Sequence, residues 1–239
     1  MTQDFYDSAR SRERNLFFSR QPRHDGSTDL LVGHIVRVTK KLPNGSRVLD
    51  LGTGNGYLAK RVLEATESKI EIYGVDLSAA MLKEARSQNH DRLHLSKMDN
   101  LALKFNVGFF DVVMAKSVRN ISVKEVDRVL KPGGHFFYKE YSSGNGLVDV
   151  FTHIHKSRVL GGVNIISDLY KYSFNSVKVE YMLVPVRRSK AEVLGAINTM
   201  HIASDEKERR SLAAAAEELF KNESFLEILS DPYIIRAQK

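Results

Sequence analysis

Three glycines at alternate positions follow an apolar segment in the chain: Val48-Leu49-Asp50-Leu51-Gly52-Thr53-Gly54-Asn55-Gly56. A helix-forming segment, residues 58–63, comes soon afterwards. A strand, a glycine turn and a helix form a cradle in which the backbone approaches a ligand and the helix N-terminus favours negative charge. About 20 residues later, Asp76 ends a second apolar segment, where a carboxylate can accept both hydroxyls of a ribose. The pattern predicts a site for a ligand that contains a nucleoside.

The spacing of the glycines distinguishes two classes of such ligands. A dinucleotide site takes G-x-G-x-x-G, with a small residue where this chain has Tyr57. Here the glycines follow G-x-G-x-G, and Asp50 lies two residues before the first. This arrangement resembles motif I of the class I S-adenosylmethionine-dependent methyltransferases. The resemblance implies that S-adenosyl-L-methionine is the cofactor, that the loop contacts its amino-acid end, and that Asp76 binds its ribose.

Three further segments resemble the same family in the same order. Residues 76–82 resemble the D-x-S-x-x-M-L sequence that opens the second helix, with Ser78 as a predicted N-cap. Residues 98–101 resemble the segment in which an acid meets the adenine amino group, and residues 128–134 match the RVLKPGG turn before the fifth strand. Over residues 46–140 the resemblance implies these cofactor-binding residues: Asp50, Gly52, Thr53, Gly54, Gly56, Asp76, Leu77, Met81, Asp99, Asn100 and Ala115.

The residues that act on the methyl acceptor are harder to identify. Methyl transfer from a sulfonium requires mainly that the acceptor is oriented and, where necessary, deprotonated, so no universal catalytic residue is expected. In the family, the loop after the fourth strand faces the methyl group. Residues 115–118 read A-K-S-V there, unlike the N/D-P-P-Y/F of the glutamine and N6-adenine enzymes, which argues against those substrates. The catalytic candidates, each with an ordinary packing or surface role as the alternative, are Lys116, Tyr172, His155 and Tyr6.

Two charged residues follow the predicted fifth strand. Lys139 and Glu140 either contact the acceptor or form a charged pair at the rim of the site.

The histidines at 153 and 155 lack a third partner at a recognisable spacing, so no metal site is expected.

The elements that must position these residues predict an α/β fold. Helical spacing of apolar residues covers 27–41, 78–88, 122–130, 189–202 and 205–221. Strands are predicted at 92–96, 109–115, 135–138, 177–186 and 232–237, besides the two that precede Gly52 and Asp76. Parallel strands joined by helical crossovers give a doubly wound, mostly parallel sheet, with the ligand at the carboxyl ends of the strands. In the family this sheet has seven strands, the last of them antiparallel.

With no repeat or linker evident, the sequence predicts a single domain over residues 1–239. Its predicted parts are an N-terminal helical lid (1–26), a cofactor-binding core (27–140), a substrate-side insertion after the fifth strand (141–176) and C-terminal strands and helices (177–239). The lid, with five arginines and few aliphatic residues, is expected to order when the cofactor binds.

Composition excludes several classes of function. The 239 residues contain no cysteine, which removes disulfides, thiolate metal sites and the covalent mechanism of cytosine-C5 methylation. No apolar run approaches the roughly 20 residues that cross a bilayer, and the polar start is not a signal peptide, so a cytoplasmic enzyme is expected. The net charge of +7 leaves a nucleic-acid partner open. It is not favoured, because acidic residues interrupt the basic N-terminal arm.

The sequence favours methyl transfer to a small-molecule acceptor, because the predicted lid and insertion would enclose a pocket. Three alternatives remain: methylation of RNA or protein, a non-methylating enzyme that cyclises or cleaves S-adenosylmethionine, and a binding protein that keeps the fold without turnover. The sequence assigns neither the acceptor atom nor an oligomeric state.

Overall fold

The structure is a computed structural model, and it describes residues 25–67, 69–87, 90–118, 121–141, 165–199 and 205–239. The chain divides into two compact units. The large unit comprises Ser27–Glu140, Val163–Tyr181 and Tyr233–Lys239, and the small unit comprises Met1–Gly26, Tyr141–Gly162 and Met182–Pro232. The predicted lid, apart from residues 25 and 26, and residues 142–164 of the predicted insertion lie outside the described residues. The single-domain organisation stays a prediction.

Nine strands are found among the described residues. They are β1 Arg47–Leu51, β2 Glu71–Asp76, β3 Leu93–Lys97, β4 Phe110–Lys116, β5 Leu130–Tyr141, β6 Ser176–Tyr181, β7 Val184–Ser189, β8 Phe225–Ser230 and β9 Pro232–Gln238. Seven of them form one sheet in the order β3-β2-β1-β4-β5-β9-β6. The first five strands pair in parallel, and β9 is antiparallel to β6. The predicted doubly wound, mostly parallel seven-stranded sheet is confirmed.

Seven helices are described. They are α1 Ser27–Thr39, α2 Tyr57–Ala65, α3 Ala79–Arg86, α4 Val123–Val129, α5 Ile165–Leu169, α6 Lys190–Thr199 and α7 Glu206–Leu219. In the large unit, buried apolar residues form two clusters that use alternate positions of the same strands. Val113 and Ala115 belong to a cluster with residues of α4 and α5, whereas Val112 and Met114 belong to a cluster with residues of α1 and α2. Because successive side chains of a strand point to opposite faces, the sheet is covered on both faces, as parallel sheets require.

The small unit contains a two-stranded antiparallel sheet of β7 and β8 together with α6 and α7. Val186 on β7 and Ile228 on β8 pack with Ile197 and Leu212 in a separate apolar cluster. This unit has its own core, because one face of its sheet is buried by its own helices.

The structure corrects the prediction of one strand over residues 177–186. The chain forms β6 and β7 instead, which belong to different sheets. Between them, the backbone N–H of Met182 donates to the carbonyl of Pro232 at 3.0 Å, where the chain leaves its pairing with β9. The alternation of apolar residues continues through Val184 and Val186 because these side chains enter the core of the small unit. β8, the partner of β7, was not predicted.

β5 is also longer than predicted, since it covers Leu130–Tyr141 rather than residues 135–138 alone. The pairing of β5 with β4 is irregular between Phe110 and Val112. The extra residues of β5 at this point include Gly133 and Gly134. The extension places Lys139 and Glu140 inside the strand instead of after it. Within the described part of the chain, every helix is too short or too polar to cross a membrane.

Candidate functional site

The carboxyl ends of three neighbouring strands meet at one edge of the large sheet. Leu51 of β1 pairs with Val75 of β2 on one side and with Ala115 of β4 on the other. The next residues along each chain segment are Gly52, Asp76 and Lys116. The structure therefore brings these three predicted site residues to a common edge, where parallel α/β sheets bind their ligands.

The glycine loop has the backbone that the motif predicts. Gly52, Gly54 and Gly56 have φ angles of 61°, 57° and 79°, in the left-handed region that favours glycine. Among the described residues, a Cβ added to Gly54 would have only the carbonyl oxygen of Gly52 near it, at 4.0 Å, so these residues leave open space beside the backbone here. The N–H of Thr53 donates to the carbonyl of Val75 at 2.9 Å, which ties the loop to β2. This open, anchored loop fits a ligand that approaches the backbone.

Asp76 is held beside the same loop by two backbone hydrogen bonds. Its Oδ2 accepts from the N–H of Gly54 at 2.9 Å, and its Oδ1 accepts from the N–H of Ser78 at 2.8 Å. A carboxylate has about four lone-pair sites, the acceptor capacity that a pair of ribose hydroxyls requires. The side chain of Ser78 accepts from the N–H of Met81 at 3.3 Å, which confirms Ser78 as the N-cap of α3.

Asp50 lies beneath the loop with only 1% of its surface exposed. The hydroxyl of Thr53 donates to its Oδ2 at 2.7 Å. Burial raises the pKa of Asp50 to about 7, and the hydrogen bond from Thr53 and the charge of Lys116 oppose that rise. Asp50 thus fixes the conformation of the loop from within the fold, and its charge state is sensitive to pH near neutrality.

The predicted adenine segment follows β3. The N–H of Met98 donates to the backbone carbonyl of Asp76 at 3.1 Å, which places this segment next to the end of β2. Oδ1 of Asp99 accepts from the N–H of Leu101 at 2.9 Å, so the carboxylate closes a local turn and leaves Oδ2 as the second acceptor. Asp99 and Asn100 are half-buried, as is Leu77.

Besides Asp50, two apolar residues predicted to bind the cofactor have side chains inside the core. Ala115 has no exposed surface and belongs to an apolar cluster, and Met81 is 6% exposed. Their contact with a cofactor would therefore come mainly from the backbone of Ala115 and the edge of the Met81 side chain.

The residues after β4 are held in an unusual conformation. Ser117 has a φ of 57°, and among the described residues it is the only residue other than glycine with a positive φ. Its N–H donates to the carbonyl of Lys139 on β5 at 2.9 Å. A strained backbone of this kind costs about 1–3 kcal/mol and clusters at functional sites. The strain turns the chain sharply beside Gly52, where Val118 packs.

Sequence reasoning missed two tyrosines at this edge. The hydroxyl of Tyr138 donates to the carbonyl of Val118 at 3.2 Å, and Oε2 of Glu140 lies 3.5 Å from the same hydroxyl. The ring of Tyr233, at the start of β9, packs edge-on against that of Tyr138 with 6.1 Å between centroids. The position of Tyr138 near the carboxyl end of a predicted strand was a usable signal. No sequence signal pointed to Tyr233, because its neighbour in the structure, Tyr138, lies far away along the chain.

The structure places the candidate Tyr172 away from the glycine loop. The N–H of the next residue, Ser173, bonds to the side chain of Asp127 near the end of α4, at 3.4 Å. Asn175 donates to Gln238, and Lys239 pairs with Gly133 and Gly134 at the start of β5. These contacts place Tyr172 at the amino-terminal edge of the sheet, opposite the glycine loop. Of the other candidates, Lys116 lies at the site edge, and His155 and Tyr6 lie outside the described residues.

Comparisons with known proteins agree with this geometry. A family model described as "Methyltransferase domain" matches residues 48–134. The ubiquinone/menaquinone biosynthesis C-methyltransferase UbiE of Geotalea daltonii is 30% identical over 183 residues, which cover 70% of this chain and 76% of that protein. UbiE of Stutzerimonas stutzeri is 31% identical over 145 residues, covering 53% of this chain and 57% of that protein.

Among solved structures, the fold is similar to that of phosphoethanolamine N-methyltransferase 2 of Haemonchus contortus, in complex with S-adenosyl-L-methionine. The TM-score is 0.62 and the sequence identity is 19%, with 99% of this chain and 59% of that chain covered.

Proposed function

The chain belongs to the class I S-adenosylmethionine-dependent methyltransferase family, and on this basis we propose that it methylates a small-molecule acceptor. It is an enzyme that transfers a methyl group, and its cofactor is S-adenosyl-L-methionine. The acceptor class, the residues of the site and a cytoplasmic location are parts of the proposal.

One observation supports the cofactor site above the others: the carboxylate of Asp76 is fixed beside the open backbone of Gly54 at 2.9 Å. In this proposal Asp76 accepts the ribose hydroxyls, and the loop from Gly52 to Gly56 holds the amino-acid end. Asp99 accepts from the adenine amino group through Oδ2, since Oδ1 is engaged by Leu101. When bound, the cofactor supplies an electrophilic methyl group on a positively charged sulfur.

The residues of this chain then have to orient the acceptor and keep the site dry. The buried carboxyl of Asp50 holds the loop through Thr53. Ser117 and Val118 form the wall after β4, anchored to β5 by the hydrogen bonds of Ser117 and Tyr138. Lys116, whose charge acts on Asp50, offers a cation at the same edge for an acidic group of the acceptor.

The names of the curated relatives extend the proposal to the acceptor atom. Both are C-methyltransferases of ubiquinone and menaquinone biosynthesis. By this likeness, the acceptor proposed here is a small aromatic compound of the quinone-precursor type that is methylated on ring carbon. The chain differs from UbiE of Geotalea daltonii at about 70% of aligned positions (100 − 30). The proposal therefore does not specify the substituents on the ring of the acceptor.

A labelling experiment tests the proposal. The full chain is incubated with S-adenosyl-L-methionine carrying a labelled methyl group and with three separate fractions of a cell extract: small molecules, RNA and protein. Label in the small-molecule fraction, and its loss in an Asp76→Ala variant, is the expected result. Label confined to RNA or protein would overturn the small-molecule assignment. Breakdown or cyclisation of the cofactor incubated alone with the enzyme would overturn methyl transfer to an external acceptor.

A further inference from the structure

A carboxylate and two phenols lie together at the carboxyl end of β5. Tyr138 and Glu140 are two residues apart on this strand, so their side chains point to the same face of the sheet. Oε2 of Glu140 lies 3.5 Å from the hydroxyl of Tyr138. Tyr233 of β9 packs against Tyr138, and Tyr181 of β6 packs against Tyr233 with 5.7 Å between ring centroids.

This cluster borders the proposed cofactor site through Val118. The carbonyl of Val118 accepts from Tyr138 at 3.2 Å. The side chain of the same residue lies against Gly52, so that a Cβ on the glycine would be 2.6 Å from Cγ2 of Val118. Val118 therefore contacts both the glycine loop and Tyr138, the residue beside which Glu140 lies.

The charge of Glu140 acts on both phenols. Burial raises the pKa of Tyr138 well above its ordinary range, and the neighbouring carboxylate of Glu140 raises it further. The same two causes raise the pKa of Tyr233 to about 12. Both phenols therefore stay protonated at neutral pH, and the hydroxyl of Tyr138 donates to the carbonyl of Val118. Tyr138 and Tyr233 are 0% and 6% exposed, whereas Glu140 is half-buried and Tyr181 is 66% exposed.

From this arrangement we propose that Glu140 is the proton acceptor for a hydroxylated aromatic acceptor, with the exposed ring of Tyr181 as a surface on which the acceptor stacks. The inference rests on the proposed function. Tyr138 and Tyr233 are positioning residues, which hold the carboxylate and the Val118 loop in place.

The proton balance is as follows. The hydroxyl of the acceptor gives its proton to the carboxylate of Glu140, and the electron pair of the broken O–H bond moves into the ring. A ring carbon forms the new C–CH3 bond, the S–CH3 bond breaks with its electrons left on sulfur, and the sulfonium becomes a neutral thioether. The methylated ring then regains its aromatic form by moving the proton of that carbon to the oxygen, so the reaction releases one proton in total, to Glu140.

Binding of two matched probes tests the inference without turnover. The full chain is saturated with S-adenosylhomocysteine, and the affinities of 1-naphthol and 1-methoxynaphthalene, which lacks the hydroxyl proton, are measured by calorimetry. Because hydrogen bonds to ionised groups are about twice as strong as neutral ones, we expect wild type to bind 1-naphthol at least about tenfold more tightly. The preference for 1-naphthol should fall below about threefold in Glu140→Gln. It should persist in the control variant Glu71→Gln, which removes a carboxylate at the start of β2.

The outcomes separate this inference from the proposed function. Failure of the wild type to bind S-adenosylhomocysteine would contradict the proposed function. Normal binding of S-adenosylhomocysteine with no preference for 1-naphthol, or with a preference that survives Glu140→Gln and is therefore steric, would overturn the role of Glu140 alone.

Turnover supplies a second readout, with an acceptor found in the labelling experiment. Loss of a general base costs about 10²–10⁴-fold in rate. In Glu140→Gln we expect kcat/KM to fall within this range at neutral pH and then to rise about tenfold per pH unit as hydroxide replaces the base. A variant with the pH profile of wild type would contradict the proposal, whatever its overall rate. Tyr233→Phe should lower kcat less and keep the wild-type profile.

Discussion

The side chain of Val118 occupies the space that a side chain at position 52 would need. A Cβ on Gly52 would lie 2.6 Å from Cγ2 of Val118, and the φ of 61° disfavours any residue except glycine. The loop after β4 therefore packs directly on the glycine loop. A substitution at Gly52 disturbs this packing whether or not a cofactor is bound, so it does not test cofactor binding by itself.

Gly54 provides the cleaner test. Its φ is 57°, and within the described part of the chain only the carbonyl of Gly52 lies near its missing Cβ, at 4.0 Å. We expect Gly54→Ala to fold with a stability loss of about 1–2 kcal/mol from the left-handed backbone. The added methyl group would block the approach of the cofactor, and overpacking of this kind costs about 1–3 kcal/mol. Calorimetry should show S-adenosyl-L-methionine binding weakened by roughly tenfold or more.

Gly133 is the matched control for this substitution. It also has a positive φ, of 77°, and no described residue lies within 4 Å of a Cβ built there, but it is near the start of β5, at the other edge of the sheet. Gly133→Ala should lose similar stability and keep full cofactor affinity. Equal affinities of the two variants would show that the glycine loop is not the cradle.

Asp76→Ala should weaken the binding of S-adenosyl-L-methionine by about 2–4 kcal/mol, because hydrogen bonds to a charged group are worth ~1.5–3 kcal/mol and are not additive. Part of the loss comes through the loop, since the N–H of Gly54 loses its acceptor. Asp111→Ala is the control. The carboxylate of Asp111 also accepts a backbone N–H, from Arg47 at 2.9 Å. Asp111 lies near the start of β4, at the edge of the sheet opposite the glycine loop. If both variants bind the cofactor as wild type does, the ribose lies elsewhere.

Asp99 is expected to select the base rather than to supply most of the affinity. Asp99→Asn can keep the hydrogen bond from Leu101, so the turn and the stability should be retained. In the variant, the amide oxygen accepts from Leu101, and the other end of the side chain is an NH2 group. This group only donates, so it cannot accept from the adenine amino group. Wild type should prefer S-adenosyl-L-methionine over its inosine analogue, and Asp99→Asn should lose most of that preference at a smaller cost in affinity than Asp76→Ala. A wild type that binds both equally would assign Asp99 another role.

The buried carboxyl of Asp50 makes stability depend on pH. Burial raises its pKa from 3.8 to about 7, so the folded state keeps a proton that the unfolded state releases. Stability therefore falls as pH rises between about 4 and 7 and changes no further above that window through this group. Between pH 5 and pH 8 the loss from Asp50 alone is about 3 kcal/mol.

Urea unfolding at both pH values checks this sign. Asp50→Asn can still accept from Thr53, and it lacks the titration. We expect the variant to gain stability relative to wild type on going from pH 5 to pH 8. A difference between the two proteins that is constant with pH would mean that Asp50 is ionised throughout.

Local patterns in the sequence were sufficient for the cofactor side of the site. Left-handed dihedrals at Gly52, Gly54 and Gly56 are a property of glycine itself, and the N-cap at Ser78 depends on a hydrogen bond three residues away. The sequence also predicted that Asp76 lies beside the loop, because the carboxyl ends of neighbouring parallel strands share one edge of the sheet.

The acceptor side depended on contacts between distant segments. Tyr138 meets Val118 across two strands, and Tyr233 reaches the same cluster from the last strand of the chain. Tyr172, a candidate from the sequence, lies at the opposite edge, because the pairing of β6 with β9 carries its segment there. The sequence by itself determined the glycine loop, the acid after the second strand and the type of sheet, because short-range periodicity and backbone preference encode them. Only the tertiary structure decided which side chains border that loop, because strand pairing between distant segments leaves no local pattern in the chain.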